Sequence, residues 1–180
     1  MEAKAKTSLK TRDMAYCALM SVLIAVCSWI SLPIGQVPFT LQTFGVFCAL
    51  LLLGGRRGTI AILLYVFMGA VGLPVFSGFR SGVAALAGPT GGYILGFILC
   101  GGLYWLLEKR AKAWLLLAAG NVVCYIFGTA WFVYVYTASG KPITFGAALL
   151  ACVAPYVAPD AAKLALALLV SKRLSPHIKA

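Results

Sequence analysis

The sequence predicts an all-α integral membrane protein with six transmembrane helices and both termini in the cytoplasm. Three observations carry this prediction. Of 180 residues, 62% are hydrophobic and only 11% charged, against roughly 25% charged in ordinary soluble domains. The apolar residues gather in runs long enough to cross a ~30 Å hydrocarbon core at about 1.5 Å per residue. The cations fall between those runs and almost all on one side. Counting gaps alternately, twelve fall together: Lys4, Lys6, Lys10, Arg12, Arg56, Arg57, Lys109, Arg110, Lys112, Lys172, Arg173 and Lys179. The other side receives Arg80 and Lys141. Positive charge marks the cytoplasmic side. Position therefore accounts for the net charge of +11 without nucleic acid as a partner.

The first expected span covers 14–32. Its preceding residues are basic, as in a signal peptide, but the run is too long for an h-region and Ser31-Leu32-Pro33 has no small-x-small site, so it reads as a retained span. Along it Cys17, Ser21 and Ala25 recur every four residues and form a face of small side chains. Such a face lets a second helix approach closely in lipid; that helix belongs either to this chain or to a partner.

Two prolines, Pro33 and Pro38, punctuate the loop before a second span at 39–54, with Thr40, Gln42 and Thr43 in its first turn. Gly55-Arg56-Arg57-Gly58 is a tight turn, which makes the second span and a third at 59–76 antiparallel neighbours. Gly69, Gly72 and Pro74 near the end of the third predict that it bends or unwinds there. The longest gap, 77–89, carries Arg80 as its only charge. A fourth span follows at 91–107 and a fifth at 113–136, with Asn121, Tyr125 and Trp131. An apolar segment at 144–154 is too short to cross and is expected to lie at the interface or cover a site. The sixth span covers 156–171. All six form one membrane domain, and no repeat relates the halves.

Asp160 and Lys163 lie within the sixth span, in its outer half. Ionisable residues at membrane depth are costly and mark function by default. Positions three apart on a helix are neighbours, so an acceptor-only carboxylate and a donor-only ammonium address one small volume. A self-satisfied ion pair is the structural alternative, but such a pair gains little over apolar residues. Pro159 suits a first helical position, which would set Asp160 in the favourable field of the helix N-terminus. Thr40, Gln42 and Thr43, Tyr93 on the fourth span and Trp131 on the fifth are expected at the same depth, with Arg80 nearer the water. Together they outline an outward-facing pocket for a small ligand that has N–H donors and a carbonyl at one end and a carboxylate at the other.

Other chemistries find little footing. No Gly-x-x-x-x-Gly-Lys-[Ser/Thr] cradle for ATP phosphates is present. Gly88-Pro89-Thr90-Gly91-Gly92 lacks the lysine and reads as close packing plus a helix cap. The six cysteines all lie in apolar runs without a CxxC pair, which suits packing better than a metal. The lone His177 is in the tail, so no nucleophile–base set exists and the chain is not read as an enzyme; no cofactor is implied.

Four stretches carry a family resemblance: Pro38-Phe39-Thr40-Leu41-Gln42-Thr43, Gly72-Leu73-Pro74-Val75-Phe76, Gly88-Pro89-Thr90-Gly91-Gly92-Tyr93, and Pro159-Asp160-Ala161-Ala162-Lys163. In this order they resemble the BioY family, biotin-specific S components of energy-coupling factor (ECF) vitamin transporters. The resemblance covers 32–174. It implies a six-helix biotin-capture subunit of a bacterial plasma membrane, docked on a transmembrane coupling protein and two ATPases that hydrolyse the ATP. It further implies that Asp160 and Lys163 hold the ureido ring of biotin and that Arg80 faces its carboxylate. S components dock through small residues of the first helix, whose nearest equivalents here are Cys17, Ser21 and Ala25. The alternatives are an S component for another vitamin and a proton-coupled carrier that uses Asp160 as its proton site.

Overall fold

The computed structural model describes residues 11–33 and 35–179. Lys4, Lys6 and Lys10, and the side chains of His177 and Lys179, lie outside the described residues. The protein is helical almost throughout: α1 Thr11–Trp29, α2 Gln42–Ala70, α3 Gly82–Ala87, α4 Gly91–Leu107, α5 Ala113–Ala138, α6 Phe145–Cys152 and α7 Ala154–Lys179. Four of these, α1, α2, α5 and α7, are long and apolar enough to cross a membrane, and α4 is a shorter apolar helix.

The first helix stops at Trp29, short of the expected 32, because the chain turns to pair with itself. Strand β1 (Ser31–Leu32) runs antiparallel to β2 (Phe39–Thr40), with Ser31 opposite Thr40 and Leu32 opposite Phe39. Leu41 N–H then donates to the carbonyls of Cys27 and Ile30, both at 3.2 Å. Thr40 is therefore a strand residue ahead of α2, not part of its first turn.

Helix α2 contains a reversal. Gly54 has φ 78° and ψ 172°, a backbone state open essentially to glycine alone. Eight residues along a straight helix are about 12 Å apart, yet a Cβ on Gly58 would lie 2.8 Å from Leu50 Cα. The two arms thus fold back on each other at Gly54. The first backbone N–H groups of the second arm lack helical partners; Glu108 supplies one, its Oε2 accepting from Gly55 N–H at 2.6 Å. At the same end Asp13 pairs with Arg57 at 3.2 Å.

Helix α2 occupies the centre, packed on α1, α4 and α7, while α4 packs along α5. Small residues bring that last pair close. A Cβ on Gly92 would sit 2.3 Å from Trp131 Cβ, one on Gly96 2.7 Å from Cys124 Sγ, and one on Gly120 2.6 Å from Cys100 Sγ. The contacts advance along α4 as they retreat along α5, the close antiparallel approach that small residues permit in lipid. All six cysteines are free and buried.

Beyond Ala70 the helix gives way to a 3-10 turn at Ser77–Phe79 and then α3; the longest gap, 77–89, is therefore structured rather than plain loop. Helix α7 begins at Ala154, so Pro155, not Pro159, occupies the first turn. Pro159 lies a turn deeper, inside the helix. Asp160 accordingly sits beyond the reach of the end dipole, which fades within the first turn, and depends on side-chain partners instead.

Candidate functional site

A cavity of about 750 Å³, counting its open mouth, lies at the end of the bundle that carries the β hairpin. Its walls come from the hairpin, the start of α2, the stretch from Phe76 to Arg80, the first half of α4, the middle of α5, and α6 and α7. Asp160 and Lys163 line it, each only 6% exposed.

The pair is held from several sides. Lys163 Nζ donates to Asp160 Oδ1 at 2.6 Å and to the Thr40 carbonyl at 2.7 Å. It also lies 4.1 Å from the centre of the Phe39 ring, within cation–π range. Tyr125 Oη donates to the other carboxylate oxygen, Asp160 Oδ2, at 2.5 Å. Beside the pair, Tyr156 Oη donates to the Val37 carbonyl and so ties α7 to the hairpin loop. The β hairpin explains why a backbone carbonyl faces an ammonium here. Pairing with β1 holds β2 over α7 and leaves Thr40 C=O directed at Lys163.

The expected ligand-binding residues divide. Gln42, Tyr93 and Arg80 all line the cavity with Asp160 and Lys163. Gln42 accepts from Thr40 Oγ1 at 3.1 Å and donates through Nε2 to Tyr65 Oη at 2.5 Å. Tyr93 Oη lies 3.1 Å from Thr129 Oγ1, its ring against Gly128, where a Cβ would come within 2.2 Å. Exposed Arg80 hangs at the mouth, its Nε donating to Ser77 C=O at 3.2 Å and its Nη2 to Thr90 Oγ1 at 3.5 Å. Thr90, at the start of α4, makes no side-chain cap, so the cap expected from the glycine-rich stretch is absent. What that stretch provides is close packing: a Cβ on Gly91 would fall 1.7 Å from the Leu86 carbonyl oxygen.

Trp131 is a correction. It does not line the cavity; its indole N–H donates to Gly88 C=O at 3.1 Å and its side chain covers Gly92. The indole clamps the entry to α4 rather than facing a ligand. Cys17, Ser21 and Ala25 are a second correction. All three are buried, on the side where α1 packs against α2, with Cys17 Sγ donating to Arg57 C=O at 3.4 Å. The face of small side chains packs within the chain, against α2.

Tyr125 is the site residue that sequence reasoning passed over. Asn121 and Tyr125 stand four apart in the first half of α5, where the other residues are apolar, so they share a face, and both line the cavity. That spacing was the available signal. The segment at 144–154 forms α6, whose Cys152 also reaches the cavity wall.

A family model described as the BioY family matches residues 1–180. The chain belongs to the BioY family. A biotin transporter BioY from Thermotoga maritima is 40% identical over 167 residues, 91% of this chain and 95% of that one. A probable biotin transporter BioY from Pyrococcus horikoshii is 36% identical over 166 residues, 92% of this chain and 98% of that one. Among solved structures, the S-component for biotin from an ECF-type ABC transporter superposes with a TM-score of 0.78 at 26% identity, covering 93% of this chain and 94% of that one. Membership of BioY puts the chain in a membrane transporter family, not an enzyme class. Its relatives come from both bacteria and archaea.

Proposed function

We propose that the chain captures biotin from outside the cell for import. The observation that carries this reading is the Asp160–Lys163 pair, nearly dry yet facing an open cavity, in a member of the BioY family. A ureido ring offers N–H donors beside a carbonyl oxygen. Asp160 accepts from the N–H groups and Lys163 donates to the carbonyl, while Gln42 and Tyr93 border the same space. Arg80, at the mouth, meets the carboxylate at the far end of the ligand. The proton-carrier reading fares worse, because both carboxylate oxygens of Asp160 already have partners, Oδ1 in Lys163 and Oδ2 in Tyr125.

The two arms of α2 count as separate crossings. With α1, α4, α5 and α7 they make six spans of a multi-pass plasma-membrane protein, both termini cytoplasmic and the cavity opening outward. Energy comes from partner chains, a transmembrane coupling protein and two ATPases, since the sequence has no phosphate cradle of its own. Ala15, Ala18, Leu19 and Val22, exposed along α1 away from α2, form the face that docks.

Calorimetric titration of the purified chain tests the reading. Biotin is expected to bind tightly at one site, with thiamine and riboflavin silent. Binding of either of those, with none of biotin, overturns it.

A further inference from the structure

The cavity wall that carries Arg80 is held from behind by the last turn of α1. Ser28 Oγ donates to the Val75 carbonyl at 2.5 Å and Trp29 Nε1 to the Pro74 carbonyl at 2.9 Å. Two consecutive residues of α1 thus take two consecutive carbonyls of a segment that no helix supports, since α2 has ended at Ala70. A third contact lies further along the wall. The Trp29 indole stacks on the Phe79 ring, with centroids 5.3 Å apart and planes 29° from parallel. Neither ring lines the cavity.

Phe79 holds an expensive backbone. Its φ is 58°, the one non-glycine in the left-handed region among the described residues. A bulky side chain rarely accepts that region. Glycine takes it freely, and Gly78 and Gly82 on either side do so, with φ 68° and 81°. The Phe79 ring is 62% exposed and leans on Trp29, so the stack is the contact that offsets the strain. The next residue is Arg80. Its carbonyl accepts from Phe76 N–H at 3.1 Å and its Nε donates to Ser77 C=O at 3.2 Å. The turn is therefore closed around Phe79, and a ring fixed there fixes the backbone from which the guanidinium projects.

We infer that Trp29 and Phe79 are positioning residues for the carboxylate end of the ligand, their stack holding the Phe76–Arg80 turn so that the guanidinium stays at the cavity mouth. The inference rests on the biotin reading for its ligand and on the contacts of α1 for the hold. It gives an aromatic pair outside the cavity a part in what the cavity selects.

The test compares biotin with biotin methyl ester, which lacks the negative charge, on the full chain in detergent. Trp29→Leu and Phe79→Leu are each expected to weaken biotin about fivefold in calorimetric titration and to leave the ester unchanged. Together they lose no more than either alone, because a stack needs both rings. Phe79→Tyr keeps the ring and the wild-type affinity. In an Arg80→Gln background Trp29→Leu changes neither ligand. Equal weakening of both ligands, as a general packing or lipid-anchoring role of Trp29 would give, overturns the inference, and so does a loss that persists without Arg80. Phe79→Gly separates holding from folding: its relaxed backbone keeps the melting temperature while biotin binding falls as in Phe79→Leu. Wild-type affinity in Phe79→Gly also overturns the inference.

A further readout needs no biotin. All six native cysteines are buried, so maleimide reports on Ser81→Cys, next to Arg80, and Trp29→Leu is expected to speed its labelling. An unchanged rate overturns the hold. Failure of the wild-type protein to bind biotin, with labelling still accelerated, sinks the capture reading and leaves the hold on the turn standing.

Discussion

Lys163 Nζ and the Thr40 carbonyl oxygen meet at 2.7 Å across 123 residues of chain. Through that bond a two-residue strand pairing near the start of the sequence orients a charge near its end. The carboxylate of Asp160 then has each oxygen assigned: Oδ1 to Lys163, Oδ2 to Tyr125. What remains of their hydrogen-bonding capacity faces the cavity.

Asp160→Asn keeps the shape but exchanges an acceptor for a donor. The expected loss is at least ~1.5–3 kcal/mol of biotin binding, the range for a hydrogen bond to a charged group. Titration calorimetry measures it, and wild-type affinity would remove Asp160 from the site.

Lys163→Met leaves the carboxylate buried without its counter-charge. Breaking a buried pair from one side costs about 3–5 kcal/mol of stability, read as a large fall in melting temperature in detergent. Adding Asp160→Asn to Lys163→Met is expected to recover much of the stability and none of the binding. Recovery of both would show that the pair serves structure alone.

Tyr125→Phe removes one donor and nothing else. The freed Asp160 oxygen turns more readily, and biotin affinity is expected to fall by about 0.5–1.5 kcal/mol. The effect should vanish in an Asp160→Asn background, where the partner has already changed. Independent losses in the two backgrounds would dissociate Tyr125 from the carboxylate.

Gly128→Ala places a methyl 2.2 Å from Tyr93 Cδ1. Overpacking of this kind costs about 1–3 kcal/mol, and Tyr93 must leave its position on the cavity wall. Both melting temperature and biotin affinity are expected to drop. Loss of stability at unchanged affinity would mean that Tyr93 does not touch the ligand.

Glu108→Ala uncaps the second arm of α2 far from the cavity. The expected cost is about 0.5–2 kcal/mol of stability with biotin binding intact in the folded fraction. Thermal melts with and without biotin separate the two, and a binding defect would reveal coupling along the bundle.

Periodicity, charge placement and cost arguments read well where a residue acts within its own segment. Asp160 and Lys163 were legible because a helix makes positions three apart into neighbours and because hydrocarbon makes a charge there expensive. The reversal near Gly55 was legible because glycines and arginines leave few other conformations between two apolar runs. Helix α4 was legible at both ends, with Gly88-Pro89 before it and charge after it.

Tertiary structure decided the rest, for a common physical reason: a side chain on a helix has several faces, and only packing chooses among them. Cys17, Ser21 and Ala25 were visible as a stripe, but their use against α2 depended on where α2 folds back. Trp131 shared a helix with Tyr125, yet a Gly92 without a Cβ drew its ring toward α4 while Tyr125 turned toward Asp160. The Thr40 carbonyl had no signal in the sequence, because every residue has one. The sequence by itself determined the helices, the charge asymmetry and the expensive pair. Packing determined which partners surround that pair, since partners come from segments that local chemistry cannot bring together.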